Sequence, residues 1–278
     1  MKNILKIMLM MITIFTIAGS AVYAAEIPVS DQDQLITSSD WTEISNLQDE
    51  MKKEEPDATI DYDKALKVYV DCNLIKLQTA DTKKLTSALE SANYVWVIPF
   101  KMEKTYGMFT VAKGLPLSEE AKSVLTKAEQ EEVKNHAGKW MITEIAEHTV
   151  EPYYDILLEK REALSDCTRV VLVGSQPGMR QPVALGMNDE TARIWISLGY
   201  QYPVMEKIPE TQNVESGVYS FDSVAEISDT YIEDSEVSTG VGVQSRSSMK
   251  YVAGIGIIVI GSILILSVLK KKKLEDYE

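Results

Sequence analysis

Hydrophobic and polar positions change rhythm several times along this 278-residue chain, and each change marks an element. Leu66-Lys67-Val68-Tyr69-Val70 alternates and is rich in β-branched residues, the pattern of a strand. Tyr94-Val95-Trp96-Val97-Ile98-Pro99-Phe100 is the strongest strand pattern, and residues 106–111 pair with it as a hairpin. Further strands are expected at 139–145, Arg169–Val173, 182–187 and 192–198. Helical spacing separates them. Asp81 caps a short helix over 81–91, with Leu85, Ala88 and Leu89 on one face. Ser118 opens a long charged helix running to about Asn135, and Pro152 opens another with Tyr153, Ile156, Leu157 and Leu164 on its buried side. Hairpins separated by single helices predict an α+β fold: a mostly antiparallel sheet with helices packed on one face. The order helix, strand, turn, strand occurs over 81–111 and again, with little residue identity, over 152–187.

The two ends follow neither rhythm. Residues 251–269 carry no charge, and Lys270, Lys271, Lys272 and Lys273 follow at once. As a helix this run is about 28 Å long, close to the hydrocarbon thickness of a bilayer. Lysines beside a span favour the cytoplasmic side. At the other end Lys2 and Lys6 precede an apolar run, Ile7 to Ala18, and Val22 and Ala24 stand at the −3 and −1 positions of a cleavage site. That is the anatomy of a secretory signal peptide cut after Ala24. No Leu-Pro-type wall-sorting pentapeptide precedes the C-terminal run, and no cysteine stands at the cleavage site for a lipid anchor.

The expected organisation is therefore a signal peptide over 1–24, a polar lead-in with one short helix over 25–58, and an extracellular α+β domain over 59–208. An acidic flexible stalk over 209–249, a transmembrane helix over 250–270 and a cytoplasmic tail over 271–278 complete it. The stalk reading rests on its acids and small polar residues, which repel and extend a chain, lifting the domain about 35 Å off the bilayer. Tyr219, Phe221, Val224 and Ile227 interrupt it and are expected to dock as a short strand.

Charge narrows the partners. Seven of the 28 basic residues and three of the 42 acidic ones belong to the signal, anchor and tail. Residues 25–249 thus hold 21 basic against 39 acidic, a net charge of −18. Such a surface repels nucleic acid and anionic lipid. The two cysteines, Cys72 and Cys167, are too few for a disulfide scaffold, so a hydrophobic core must hold the fold. Export favours one bridge between them; buried free thiols are the alternative.

Candidate chemistry is sparse. His136, Glu144, Glu147 and His148 offer metal ligands or an acid–base pair within thirteen residues, without the two-histidine spacing of zinc proteases. Cys167 with either histidine would need a low-pKa thiolate, yet it precedes an apolar strand where structural cysteines are common. Ser175 lacks the preceding glycine of a nucleophile elbow, since Val173 stands there. The paired acids Asp31 and Asp33, and Asp61 and Asp63, lack the glycine and glutamate of a calcium loop. Aromatic residues are the remaining resource, and Trp195, Tyr200 and Tyr202 form the expected ligand surface.

These observations predict a single-pass, membrane-anchored extracellular binding module of a bacterial cell surface. It is expected to be non-enzymatic, to need no cofactor, and to meet a protein or cell-envelope ligand rather than nucleic acid. The alternatives are an envelope-acting surface hydrolase, metal-dependent through the histidine–glutamate set, and an accessory subunit of a membrane transport or secretion complex.

Overall fold

The computed structural model describes residues 27–232 apart from 149–150, 175, 177–178, 180, 200–201 and 209–212. The signal peptide, the C-terminal uncharged run and the tail lie outside the described residues. No helix among the described residues is long and apolar enough to cross a membrane.

The strands are β1 (Thr59–Ile60), β2 (Leu66–Val70), β3 (Asn93–Lys101), β4 (Tyr106–Lys113), β5 (Trp140–His148), β6 (Arg169–Val173), β7 (Val183–Met187), β8 (Ala192–Ser197), β9 (Asn213–Glu215) and β10 (Val218–Ser220). The helices are α1 (Trp41–Ile44), α2 (Gln48–Glu54), α3 (Thr82–Glu90), α4 (Glu119–Val124), α5 (Lys127–His136), α6 (Tyr153–Glu159), α7 (Pro203–Glu206) and α8 (Phe221–Ile232). All ten strands join one sheet in the order β5-β4-β3-β2-β6-β7-β8-β10-β9, with β1 paired to β3. The fold is α+β and the sheet mostly antiparallel. Two antiparallel runs, β2 to β5 and β6 to β8, spread outward from one parallel pair, β2 with β6.

Helices cover both faces, not one. Strand alternation sends Tyr69, Val171, Val173, Leu185 and Trp195 to one side, where α3 adds Leu85 and Leu89. It sends Leu66, Val68, Val170, Leu172 and Ile196 to the other, where α6 adds Tyr153 and Leu157. A ten-stranded sheet that is apolar on both sides cannot leave either face to water. A third cluster lies over β3 and β4, where Trp96, Ile98, Phe109 and Val111 meet Leu35, Ile44 and Met51. The lead-in is thus part of the core. Its expected short helix is α1, and Ile44 and Met51 are buried completely. Within this cluster Phe100 lies across its β4 neighbour Gly107, where an added Cβ would come within 2.1 Å of the ring.

Two local expectations change. The long charged helix is two helices, because Leu125 is extended and Thr126 begins a new capping box with Glu129. The ordered unit also runs past 208. Residues 213–232, expected in the stalk, form β9, β10 and α8; β10 pairs with β8, and Phe221 stacks on Trp195 at 5.6 Å. Tyr219 does lie on the short strand, but Phe221, Val224 and Ile227 form one face of a helix.

The parallel pair is incomplete, and this shapes the site. Only Val68 with Leu172 and Tyr69 with Val173 are in register. Below them the strands part, and residues 27–35 fill the fork. Val29 bridges Val170 of β6, the Val170 amide donates to the Pro28 carbonyl at 2.7 Å, and Gln34 bridges Leu66 of β2. Ile27, Val29 and Leu35 anchor this strap in the core.

Candidate functional site

The strap carries a carboxylate into the fork. Asp33 ends a single 3-10 turn, Asp31–Asp33, and is only 2% exposed. Its oxygens accept from Ser30 Oγ at 2.6 Å, Tyr69 Oη at 2.7 Å and an Arg169 guanidinium nitrogen at 3.1 Å. Lys67 Nζ lies 3.8 Å away. Lys67 and Arg169 come from the two strands that the strap separates, so one carboxylate holds cations from both prongs.

Aromatic rings close the site. Lys67 Nζ lies 4.5 Å from the centre of the Tyr94 ring, 5.2 Å from Trp96 and 5.8 Å from Tyr69, distances at which ring quadrupoles attract a cation. Asp40, at the start of α1, accepts from Tyr94 Oη at 2.9 Å and Trp96 Nε1 at 3.0 Å. Burial pushes the Lys67 amine below its ordinary range; Asp33 and Asp40 oppose that, and Arg169 adds to it. Burial, reinforced by Asp33, raises the Tyr69 phenol. The cluster therefore contains a desolvated amine, a buried carboxyl and several hydrogen-bond donors. Its signal in the sequence was Lys67 on the same alternating face as the buried Tyr69. Asp33 gave little, because Tyr69 and Arg169 lie 36 and 136 residues away and only Ser30 is near it in sequence.

The predicted residues fall elsewhere. Trp195 and Tyr202 are buried core residues rather than an exposed ligand surface, Tyr202 donating to the Pro182 carbonyl. Tyr200 lies outside the described residues. Cys72 and Cys167 are both free thiols in clusters on opposite faces of the sheet, so the bridge expected from export is not formed. Burial raises both, Cys72 to about 11, which keeps it protonated and unreactive near neutrality.

The histidine–glutamate set is divided as well. Glu144 pairs with Thr110 and Glu147 with Gly107, an odd spacing on one strand that points them to opposite faces. Glu147 acts instead on Glu55, and His136 ends α5 with Nδ1 buried and unpartnered. Among the described residues no three His, Cys, Asp or Glu side chains are placed to hold a metal ion.

Glu144 is nonetheless perturbed. Burial raises its carboxyl to about 7, although a Thr110 hydrogen bond pulls the other way. Between pH 4.5 and 7 the folded chain then holds a proton that the unfolded chain has released, so stability falls as pH rises through that window. Glu144→Gln is expected to be more stable than the parent by about 2–3 kcal/mol at pH 8, with little difference at pH 4.5. Denaturant unfolding of both chains at the two pH values checks this, and a pH-independent difference would refute it.

A cleft of about 310 Å³ lies between residues 75–80 and α8, with Ile75, Ala80 and Phe221 as apolar lining and Asp222 and Glu226 among its polar groups. The chain matches no known protein family, no curated protein and no solved structure.

Proposed function

We propose that the chain is a single-pass, membrane-anchored binding module of a bacterial cell surface, with its folded head outside and the tail after Lys273 inside. The observation that carries this reading is the order of segments. A basic, apolar leader comes first, then one continuous sheet domain, then an acidic stretch, then nineteen uncharged residues closed by four lysines. Because α8 belongs to the head, 17 residues, 233–249, separate Ile232 from Lys250. As a coil these would span about 23 Å, shorter than the full stalk read from composition.

The head's ligand is a protein or an envelope component rather than nucleic acid. A net charge of −18 over residues 25–249 favours a cationic one. The head acts by binding this ligand outside the cell.

Intact cells expressing the full chain with a C-terminal epitope test the topology. Added protease is expected to remove the head and leave a short tagged fragment. A head cut only after lysis would overturn the reading.

A further inference from the structure

We infer that Lys67 and Asp33 condense into an intramolecular amide that ties the N-terminal strap into the fork between β2 and β6. Three features of the fork converge on this reaction.

The reacting groups are adjacent and dry. Lys67 Nζ stands 3.8 Å from Asp33 Oδ1, the Lys67 side chain is 11% exposed and that of Asp33 2%. Held proximity replaces the entropy cost of bringing an amine to a carboxyl, and exclusion of water disfavours the reverse hydrolysis. The amine is activated by burial among Tyr69, Tyr94 and Trp96, because desolvation favours its neutral, nucleophilic form.

The carboxyl is polarised from its outer side. Ser30 Oγ, Tyr69 Oη and Arg169 donate to its two oxygens, the places where negative charge grows in a tetrahedral intermediate. Asp33 and Asp40 both favour the charged ammonium of Lys67, so the neutral amine is a minority and the condensation is slow. Asp40 is held away from the reacting carboxyl by its bonds from Tyr94 Oη and Trp96 Nε1.

The step balances without an oxidant, a reductant or a co-reactant. A proton passes from the ammonium of Lys67 to the carboxylate of Asp33, giving amine and acid. Nζ then bonds to Cγ, one C–O bond of the carboxyl breaks, and the nitrogen loses one further proton to the departing hydroxyl. One amide and one water result. The product links the strap to β2 across the point where hydrogen bonding between β2 and β6 stops.

The test is mass spectrometry of the full chain, extracted from membranes in detergent, denatured and digested after storage long enough for a slow reaction. The expected result is a branched peptide joining residues 33 and 67, one water lighter than its two parts. Lys67→Arg keeps a cation in the cage without a condensing amine, and its peptides are expected at full mass. Unlinked peptides at full mass from the parent chain would overturn the inference, as would a missing water assigned to any other pair.

Discussion

A chain ending at Ile208 is expected to lose the cooperative fold that a chain ending at Ile232 keeps. The segment between them looks dispensable by composition, yet it supplies Val218, Phe221 and Val224 to the core and covers Trp195, all at most 4% exposed. Burying one such side chain contributes about 1.5–3 kcal/mol, so losing three and uncovering the tryptophan removes about 8 kcal/mol. Whole domains are stable by only about 5–15 kcal/mol. Truncation should therefore leave little or no net stability. Near-ultraviolet circular dichroism and thermal melting of fragments 25–208 and 25–232 compare them directly. Equal melting temperatures would mean that α8 is a peripheral attachment. Phe221→Ala in the longer fragment isolates the stacking contact and is expected to cost about 3–5 kcal/mol.

The same segment explains where the sequence was legible. Strands β2 and β6 coincide with their patterns because alternation in one and an unbroken β-branched apolar run in the other are local properties. Helix α3 was equally plain, its Asp81 cap accepting from the Lys84 amide at 3.1 Å. Helix α8 was not. Its apolar face is thin, and the surrounding acids and serines give the segment the composition of a linker; only the exposed edge of β8 and the face of Trp195 make it fold there. The break at Thr126 was legible in principle, since Thr126 and Glu129 have capping-box spacing, but Ser118 offered an earlier start and a continuous helix.

The candidate site was nearly silent for a different reason. Sequence spacing can reveal groups that share one helix or strand, and the histidine–glutamate set was noticed because it is compact. The pleat of β5 then sent Glu144 and Glu147 apart. The groups that do meet come from four distant segments: the strap, α1, the β2–β3 pair and β6. Their meeting depends on the fork, and the fork depends on a parallel pairing between strands about a hundred residues apart. No local pattern encodes that.

Asp33→Ala is expected to destabilise the folded chain by about 3–5 kcal/mol, the usual cost of removing one partner from a buried ion pair. The cost comes from what remains. Lys67 and Arg169 would face the fork without a counter-charge, Tyr69 Oη would lose the acceptor at 2.7 Å, and the Arg169 Nε already has no partner among the described residues. Tyr69→Phe removes one donor and leaves the charges balanced, so it should cost only about 1–2 kcal/mol. The difference between these two effects separates loss of the counter-charge from loss of one neutral donor, since Tyr69→Phe keeps the ring packed and both cations paired. Replacing Lys67 and Arg169 by methionine in the Asp33→Ala background should restore much of the loss, because apolar groups of similar length need no counter-ion. Guanidinium unfolding of the four chains measures all of this. The amide adds a further distinction: Lys67→Arg preserves the charge but cannot condense, so a chain already cross-linked should be more stable than this variant, whereas a purely ionic lock should tolerate the exchange.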